Sequence, residues 1–397
     1  MQLFSLCAAL LLPLILASSY ALFILSLTIP SVQRNAFYAN RVNPSAWQDL
    51  SNVEQFGFHS AQVVPFTFHP KDDPNISLRA WYLLPVELYV EYEAELKGYQ
   101  SISKYPLTSR DLLEDSPLQF LISNEAAHLI ISFHGNAAHL ASSHRPSTYR
   151  QLLGLSTPER PVHVITFDYR GFGLSTGSPT EAGVIADAVA LLQLISDAGI
   201  SMDRITLLGQ SLGTAVSTGA FHHWTRILKR DPPRALILLA SFSSVPSLMD
   251  SYSLKGIIPP FLSGLDYFPK WVKAWVVGFI TDTWETGKRL EDLWTSGVHL
   301  NLYIMHARDD WEIPWREGWK NFLAVADTKV GRFGTLGTTS LNYDYTKKDE
   351  EFDLVEGGVK GSKKRLRWEL IKYGGHNRVA VSEQMKAVVL RSLDRDW

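Results

Sequence analysis

The 397-residue chain has one cysteine, Cys7, which lies in an apolar N-terminal stretch. An intrachain disulfide is therefore excluded, as are a thiolate metal cluster and a cysteine nucleophile in the folded part. A charge surplus is also lacking: 38 Lys plus Arg face 40 Asp plus Glu, for a formal net charge of −2. Without a basic field, nucleic acid is not an expected partner. No internal repeat of fixed period is visible, which argues against solenoids and propellers. What is present, 46% hydrophobic and 20% charged residues, is the composition of a chain that folds around a core.

Residues 3–29 contain no charged side chain. At about 1.5 Å rise per residue, a helix of that length crosses a hydrocarbon core of about 30 Å, so a membrane span is expected. The competing reading is a cleaved signal peptide with its core at 6–16 and small residues at Ala17-Ser18-Ser19. Two features favour the span: the apolar run continues past that site, and no Lys or Arg precedes it. Sidedness stays open. Arg34 and Arg41 favour a cytosolic domain by the positive-inside rule, whereas Asn75-Ile76-Ser77 is a glycosylation acceptor that matters only in a lumen.

Beyond a polar juxtamembrane segment, 31–60, short apolar runs alternate with longer helical patterns, the signature of a mostly parallel sheet covered on both faces. Core strands are expected at 129–133, 162–167, 204–208, 235–239, 300–305 and 367–373, preceded by antiparallel edge strands at 66–68 and 78–84. Helices are expected at 181–198 and 378–393. Two stretches break the alternation. Residues 241–298 read as a helical cap, in which Phe268, Trp271, Trp275 and Phe279 form a stripe suited to an acyl chain, a bilayer surface or ordinary core packing. Residues 330–364 are Gly-, Thr- and charge-rich and read as an exposed, mobile insertion.

Gly209-Gln210-Ser211-Leu212-Gly213 follows an apolar strand and opens a helix of small residues. A serine on so sharp a strand-to-helix turn sits in strained backbone, and only glycine leaves room two residues to either side. Ser211 is thus the candidate nucleophile. A hydroxyl needs a neutral histidine to take its proton and a carboxylate to hold that histidine. His306-Ala-Arg-Asp-Asp-Trp-Glu-Ile-Pro314 follows one later strand and Gly374-Gly375-His376-Asn377 another. Asp309, Asp310 and Glu312 compete for the acid. Asp310 has the best claim, because Pro314 marks the turn that closes the loop, and Asp309 is the reserve. Of the twelve histidines, His376 alone combines a preceding strand, adjacent glycines and a following helix. His222 and His223, on the helix after Ser211, read as structural.

The oxyanion requires preorganised donors. One is expected from the N–H of Leu212 and the other from Asn136, in the loop His134-Gly135-Asn136-Ala137. His134 reads as a brace for that loop, with no accompanying metal-ligand cluster. The run Asp168-Tyr-Arg-Gly-Phe-Gly173 lacks the lysine of a phosphate loop and reads as structural. No metal or organic cofactor is expected.

Phe133-His-Gly-Asn-Ala137, Thr166-Phe-Asp-Tyr-Arg-Gly-Phe-Gly173, Gly209-Gln-Ser-Leu-Gly-Thr214, His306-Ala-Arg-Asp-Asp310 and Gly375-His376 together resemble the α/β-hydrolase domain-containing protein 12 type, over roughly residues 60–395. The resemblance implies an α/β-hydrolase fold over 61–397 behind an N-terminal transmembrane helix at 1–30, single-pass in the endoplasmic reticulum or another endomembrane. It implies a serine hydrolase of lipid esters such as monoacylglycerols and lysophosphatidylserine. Protein depalmitoylases share the His-Gly-Asn loop, so an acyl-protein thioesterase is the alternative enzyme, and a non-catalytic binding protein of the same fold is the third reading.

Overall fold

The computed structural model describes residues 15, 18–43, 47–103, 105–114, 116–252, 262–326, 354–358 and 364–394. Its centre is a nine-stranded sheet made of β1 (Val63–Phe68), β2 (Leu78–Leu83), β3 (His128–Phe133), β4 (Val162–Phe167), β5 (Ile205–Gln210), β6 (Ala235–Leu239), β7 (Leu300–Ala307), β8 (Leu354–Gly358) and β9 (Lys364–Ile371), in the order β1-β2-β4-β3-β5-β6-β7-β9-β8. Strands β3 to β7 and β9 run parallel, and the antiparallel pairs lie at the edges. The apolar runs are continuous because both faces are covered. In β3, Leu129, Ile131 and Phe133 enter one buried cluster and Ile130 the other; in β6, Leu236 and Leu238 enter the first and Ala235, Ile237 and Leu239 the second.

Three sequence expectations are corrected. The last parallel strand spans Lys364–Ile371 rather than 367–373. The reason is Lys364: its stem is buried while its ammonium donates to the carbonyls of Trp294 and Ser296, so a charged residue begins a core strand. The stretch 330–364 is not wholly an exposed insertion, since Leu354–Gly358 pairs antiparallel with β9. Residues 327–353 lie outside the described residues. The helix expected at 378–393 is broken. A short turn, Gly375–Arg378, and a 3-10 turn, Val379–Val381, precede Ser382, whose hydroxyl accepts from Met385 N at 3.1 Å and starts the helix Glu383–Leu393.

Within 241–298 the described elements are Val245–Ser251, the 3-10 turn Ser263–Tyr267, Lys270–Val277 and Thr286–Thr295. Ile257, Ile258 and Phe261 lie outside the described residues. The last helix packs against Leu212–His222 and Trp315–Ala326, burying Leu290, Leu293 and Trp294 in the main core. The aromatic stripe does the opposite: Trp271 is 70% exposed, Phe268 56%, Trp275 50% and Phe279 39%. Core packing therefore does not account for it.

Residues beyond the expected span also pack onto the domain. The helix Pro30–Tyr38 ends with Tyr38 fully buried; its hydroxyl donates to Asp282 Oδ2 (2.9 Å) and accepts from Trp284 Nε1 (3.2 Å). No helix among the described residues is long and apolar enough to cross a membrane.

Candidate active site

Ser211 stands between β5 and the helix Leu212–His222 at φ +54°, ψ −121°, a conformation an L-residue holds only when its surroundings impose it. The imposition is visible. Ser211 N donates to Leu239 O at 3.0 Å. A Cβ on Gly209 would lie 2.3 Å from Gly213 O, and one on Gly213 would lie 2.0 Å from Phe133 O. Glycine at both flanking positions thus lets strand and helix meet at this angle.

The candidate acid and histidine lie in the loops after β7 and β9. Asp310 Oδ2 accepts from His376 Nδ1 at 2.8 Å, and its Oδ1 accepts from the backbone N–H groups of Glu312 and Ile313, both at 2.9 Å. Asp309 acts elsewhere, its Oδ1 accepting from Gly375 N at 2.7 Å and so pinning the histidine loop. A second imidazole, fully buried His306, brings Nε2 within 3.2 Å of Asp310 Oδ2 and 2.9 Å of Ile313 O. Burial alone would raise the Asp310 pKa, but the hydrogen bonds and charges of His306 and His376 outweigh it and hold the carboxyl well below the usual range.

Ser211 and His376 are joined indirectly. Gln210 Nε2 donates to His376 O (3.0 Å), while Gln210 Oε1 accepts from His144 Nε2 (2.7 Å). Among the described residues, no hydrogen bond links Ser211 Oγ to the imidazole. His376 Nε2 instead lies 3.9 Å from Glu312 Oε2, beside a cavity of about 410 Å³ lined by Asp309, Trp311, Glu312, Gly375 and His376.

Burial lowers the pKa of His376, but the Asp310 hydrogen bond and charge, with Glu312 adding its charge, leave it raised above 6.5. A base must be neutral to accept a proton, so turnover should fall as pH drops through that raised value. Glu312 is half exposed and solvent screens its contribution. The substitution Glu312→Gln should therefore move the acid limb of the kcat/KM profile to lower pH by a few tenths of a unit, and an unmoved limb would show that the carboxylate has no influence on the imidazole.

The loop after β3 is shaped from both sides. The buried guanidinium of Arg145 donates to the carbonyls of Gly135 (3.0 Å), Asn136 (2.8 Å) and Ala137 (3.1 Å), gathering the C=O groups inward. From outside, Asn136 Nδ2 donates to Phe37 O, and Ala138 N donates to Val42 O at 3.1 Å. Asn136 Oδ1 accepts from Ala137 N at 2.9 Å, steadying Ala137 and Ala138 at positive φ, 62° and 54°. Among the described residues, the N–H groups of Asn136 and Leu212 have no protein acceptor. Asn136→Ala keeps the backbone donor but loses both side-chain bonds. A fall in kcat of about tenfold or more with little change in KM is expected, measured on a water-soluble ester.

The remaining candidates hold structure. His134 Nδ1 bonds Gly135 O (2.7 Å) and its Nε2 lies 3.4 Å from Asp168, which also accepts from Leu140 N (2.6 Å). His222 Nε2 bonds Asp292 (2.9 Å). Among the described residues no cluster of His, Cys, Asp or Glu is arranged to hold a metal ion.

Parallel strands, a serine on a strained strand-to-helix turn, and acid and histidine loops at the ends of later strands define an α/β-hydrolase fold. The chain matches the Alpha/beta hydrolase family over residues 130–389 and belongs to it. It is a serine ester hydrolase by that membership and by its relatives. Lysophosphatidylserine lipase ABHD12 of Danio rerio is 28% identical over 303 residues, 76% of this chain and 68% of that protein. ABHD12 of Gallus gallus is 28% identical over 305 residues, 76% of this chain and 69% of that protein. Among solved structures, an alpha-beta hydrolase from Vibrio vulnificus superposes with a TM-score of 0.54 at 14% identity, covering 91% of this chain and 92% of that one; at that identity the likeness speaks for the fold alone.

Proposed function

We propose that the chain is a membrane-anchored lipid-ester hydrolase acting through Ser211, His376 and Asp310, with residues 1–30 as its tether and residues 31–60 joining that tether to the hydrolase domain. The observation that carries this reading is the hydrogen bond of 2.8 Å from His376 Nδ1 to Asp310, on an imidazole whose backbone carbonyl is held by the residue preceding Ser211. That bond fixes the tautomer and leaves Nε2 free to act as base. The hydrogen bond from Ser211 Oγ to Nε2 is expected to form in the substrate complex, where catalytic bonds that are long in a free enzyme tighten.

His376 then takes the Ser211 proton as Oγ attacks the ester carbonyl, and the oxyanion is received by the N–H groups of Leu212 and Asn136. The C–O bond to the alcohol breaks as His376 returns the proton to the leaving oxygen. Water, deprotonated by the same imidazole, releases the fatty acid and restores Ser211. Support for lipid esters as substrates comes from the activity in the names of the ABHD12 relatives.

The test is a comparison of purified enzyme on a long-chain monoacylglycerol, lysophosphatidylserine and a palmitoylated peptide. The lipid esters should be turned over and the thioester spared. Preferential cleavage of the peptide would reassign the enzyme as an acyl-protein thioesterase, and inertness toward all three, with no fluorophosphonate labelling, would leave only a binding role.

A further inference from the structure

A helix in water has one apolar face and one polar face. Lys270–Val277 has apolar residues on both. Inward, Val276 joins Leu262, Leu265 and Ile24 of the helical N-terminal segment in a separate buried cluster. Outward, Trp271 and Trp275, one turn apart, stand 70% and 50% exposed, next to Phe268 and the 93% exposed Tyr267. Lys273 does not interrupt that face, because its ammonium is drawn back to Asp250 (2.9 Å) and Asp266 (2.8 Å). The N-terminal segment repeats the pattern: Ile24 is buried against the cap while Leu22 and Leu25 are 68% and 50% exposed. The stretches just beyond the two elements are also tied together, since Gln33 Nε2 donates to Phe279 O (2.6 Å) and Thr281 N donates to Gln33 Oε1 (3.1 Å).

We infer that the Trp271–Trp275 face of the cap is a bilayer-docking surface, seated in the headgroup and upper acyl region beside the N-terminal segment. The occupant is lipid because of what adjoins the face. Leu22 and Leu25 belong to a sequence with no charged side chain from Met1 to Gln33, and a bilayer is the occupant that suits an uncharged run of that length. Tryptophan and tyrosine favour that depth, where an apolar ring meets hydrated headgroups. Exposed Lys270 lies at the edge, within reach of lipid phosphates. The cap would then contribute to membrane binding in its own right, going beyond the tether described under the proposed function.

The test uses the full chain carrying Cys7→Ser and one new cysteine, Leu22→Cys, Trp271→Cys or, as an aqueous control, the exposed Glu125→Cys. Each is labelled with an environment-sensitive fluorophore and reconstituted in phosphatidylcholine–phosphatidylserine vesicles. Dye at both 22 and 271 should be quenched by spin-labelled lipid and protected from iodide, with dye at 125 the reverse. Lipid quenching at 22 but iodide quenching at 271 would overturn the inference while leaving the tether intact, and iodide quenching at both would overturn both. Protection at 271 from both quenchers would assign the face to a second protein copy and equally overturn it. In parallel, Trp271→Ser/Trp275→Ser should lower turnover of a long-chain monoacylglycerol in vesicles about tenfold while leaving a water-soluble short-chain ester unaffected; equal losses on both substrates would count against docking.

Discussion

Replacing Ser211 with alanine removes fluorophosphonate labelling and lowers ester hydrolysis by about 10⁶-fold, the loss expected when the nucleophile of an acting triad is deleted. The fold should not notice. Among the described residues Ser211 Oγ has no hydrogen-bond partner, and alanine inherits the same φ of +54°, so stability should stay within about 0.5 kcal/mol in chemical denaturation. Glycine at the same position is equally inactive but relieves the backbone, because φ +54° with ψ −121° costs a side-chain-bearing residue about 1 kcal/mol or more. Ser211→Gly should therefore melt above Ser211→Ala, which separates strain held for chemistry from strain needed for folding. Retained hydrolysis in Ser211→Ala would remove this serine from the mechanism.

Gly213→Ala should have the largest effect on folding. The added Cβ would stand 2.0 Å from Phe133 O and 2.9 Å from His134 O. Both obstacles are backbone of a core strand and its following loop, so neither can turn aside as a flexible side chain would. A loss of about 4 kcal/mol or more is expected, enough to unfold many domains. The contrast is Gly98, in the helix Glu93–Ile102, where a Cβ meets nothing within 4 Å. Gly98→Ala should stabilise by about 0.5–1 kcal/mol. Thermal melts of the two variants with wild type decide the matter, and a well-folded Gly213→Ala would mean that strand and helix do not meet so closely.

Where the chain's own pattern determines structure, the sequence was legible. β4 and β6 are buried on both faces and flanked by turns, and the expected 162–167 and 235–239 agree with Val162–Phe167 and Ala235–Leu239. Legibility failed where a distant partner decides. Leu354–Gly358 has no periodicity of its own and becomes a strand only because β9 offers an open edge. Lys364 reads as polar and sits in the core because two carbonyls some seventy residues earlier receive its ammonium.

The site divides along the same line. Ser211, Asp310 and His376 become candidates through local context, each by its own strand and turn, and the structure sets Asp310 against His376. Arg145, His306 and the His144–Gln210 link are not, because their roles exist only once separate segments have met. Glu312 lay in view as a rival for the acid role, yet its relation to His376 Nε2 depends on how the loop closes. Of the Arg145 arrangement, only its spacing, an arginine 9 residues beyond the asparagine of a His-Gly-Asn loop, is visible in a sequence.

The carbonyls of Phe37 and Val42, which receive the Asn136 side chain and Ala138 N, have a practical bearing on purified material. A chain cut after residue 42 would lose those acceptors. The fragment keeps its sheet and Ser211 but loses two bonds that hold the Asn136 loop, so its turnover number is expected to fall below that of the uncut chain. Cuts placed before Pro30 spare the acceptors and offer the fairer comparison.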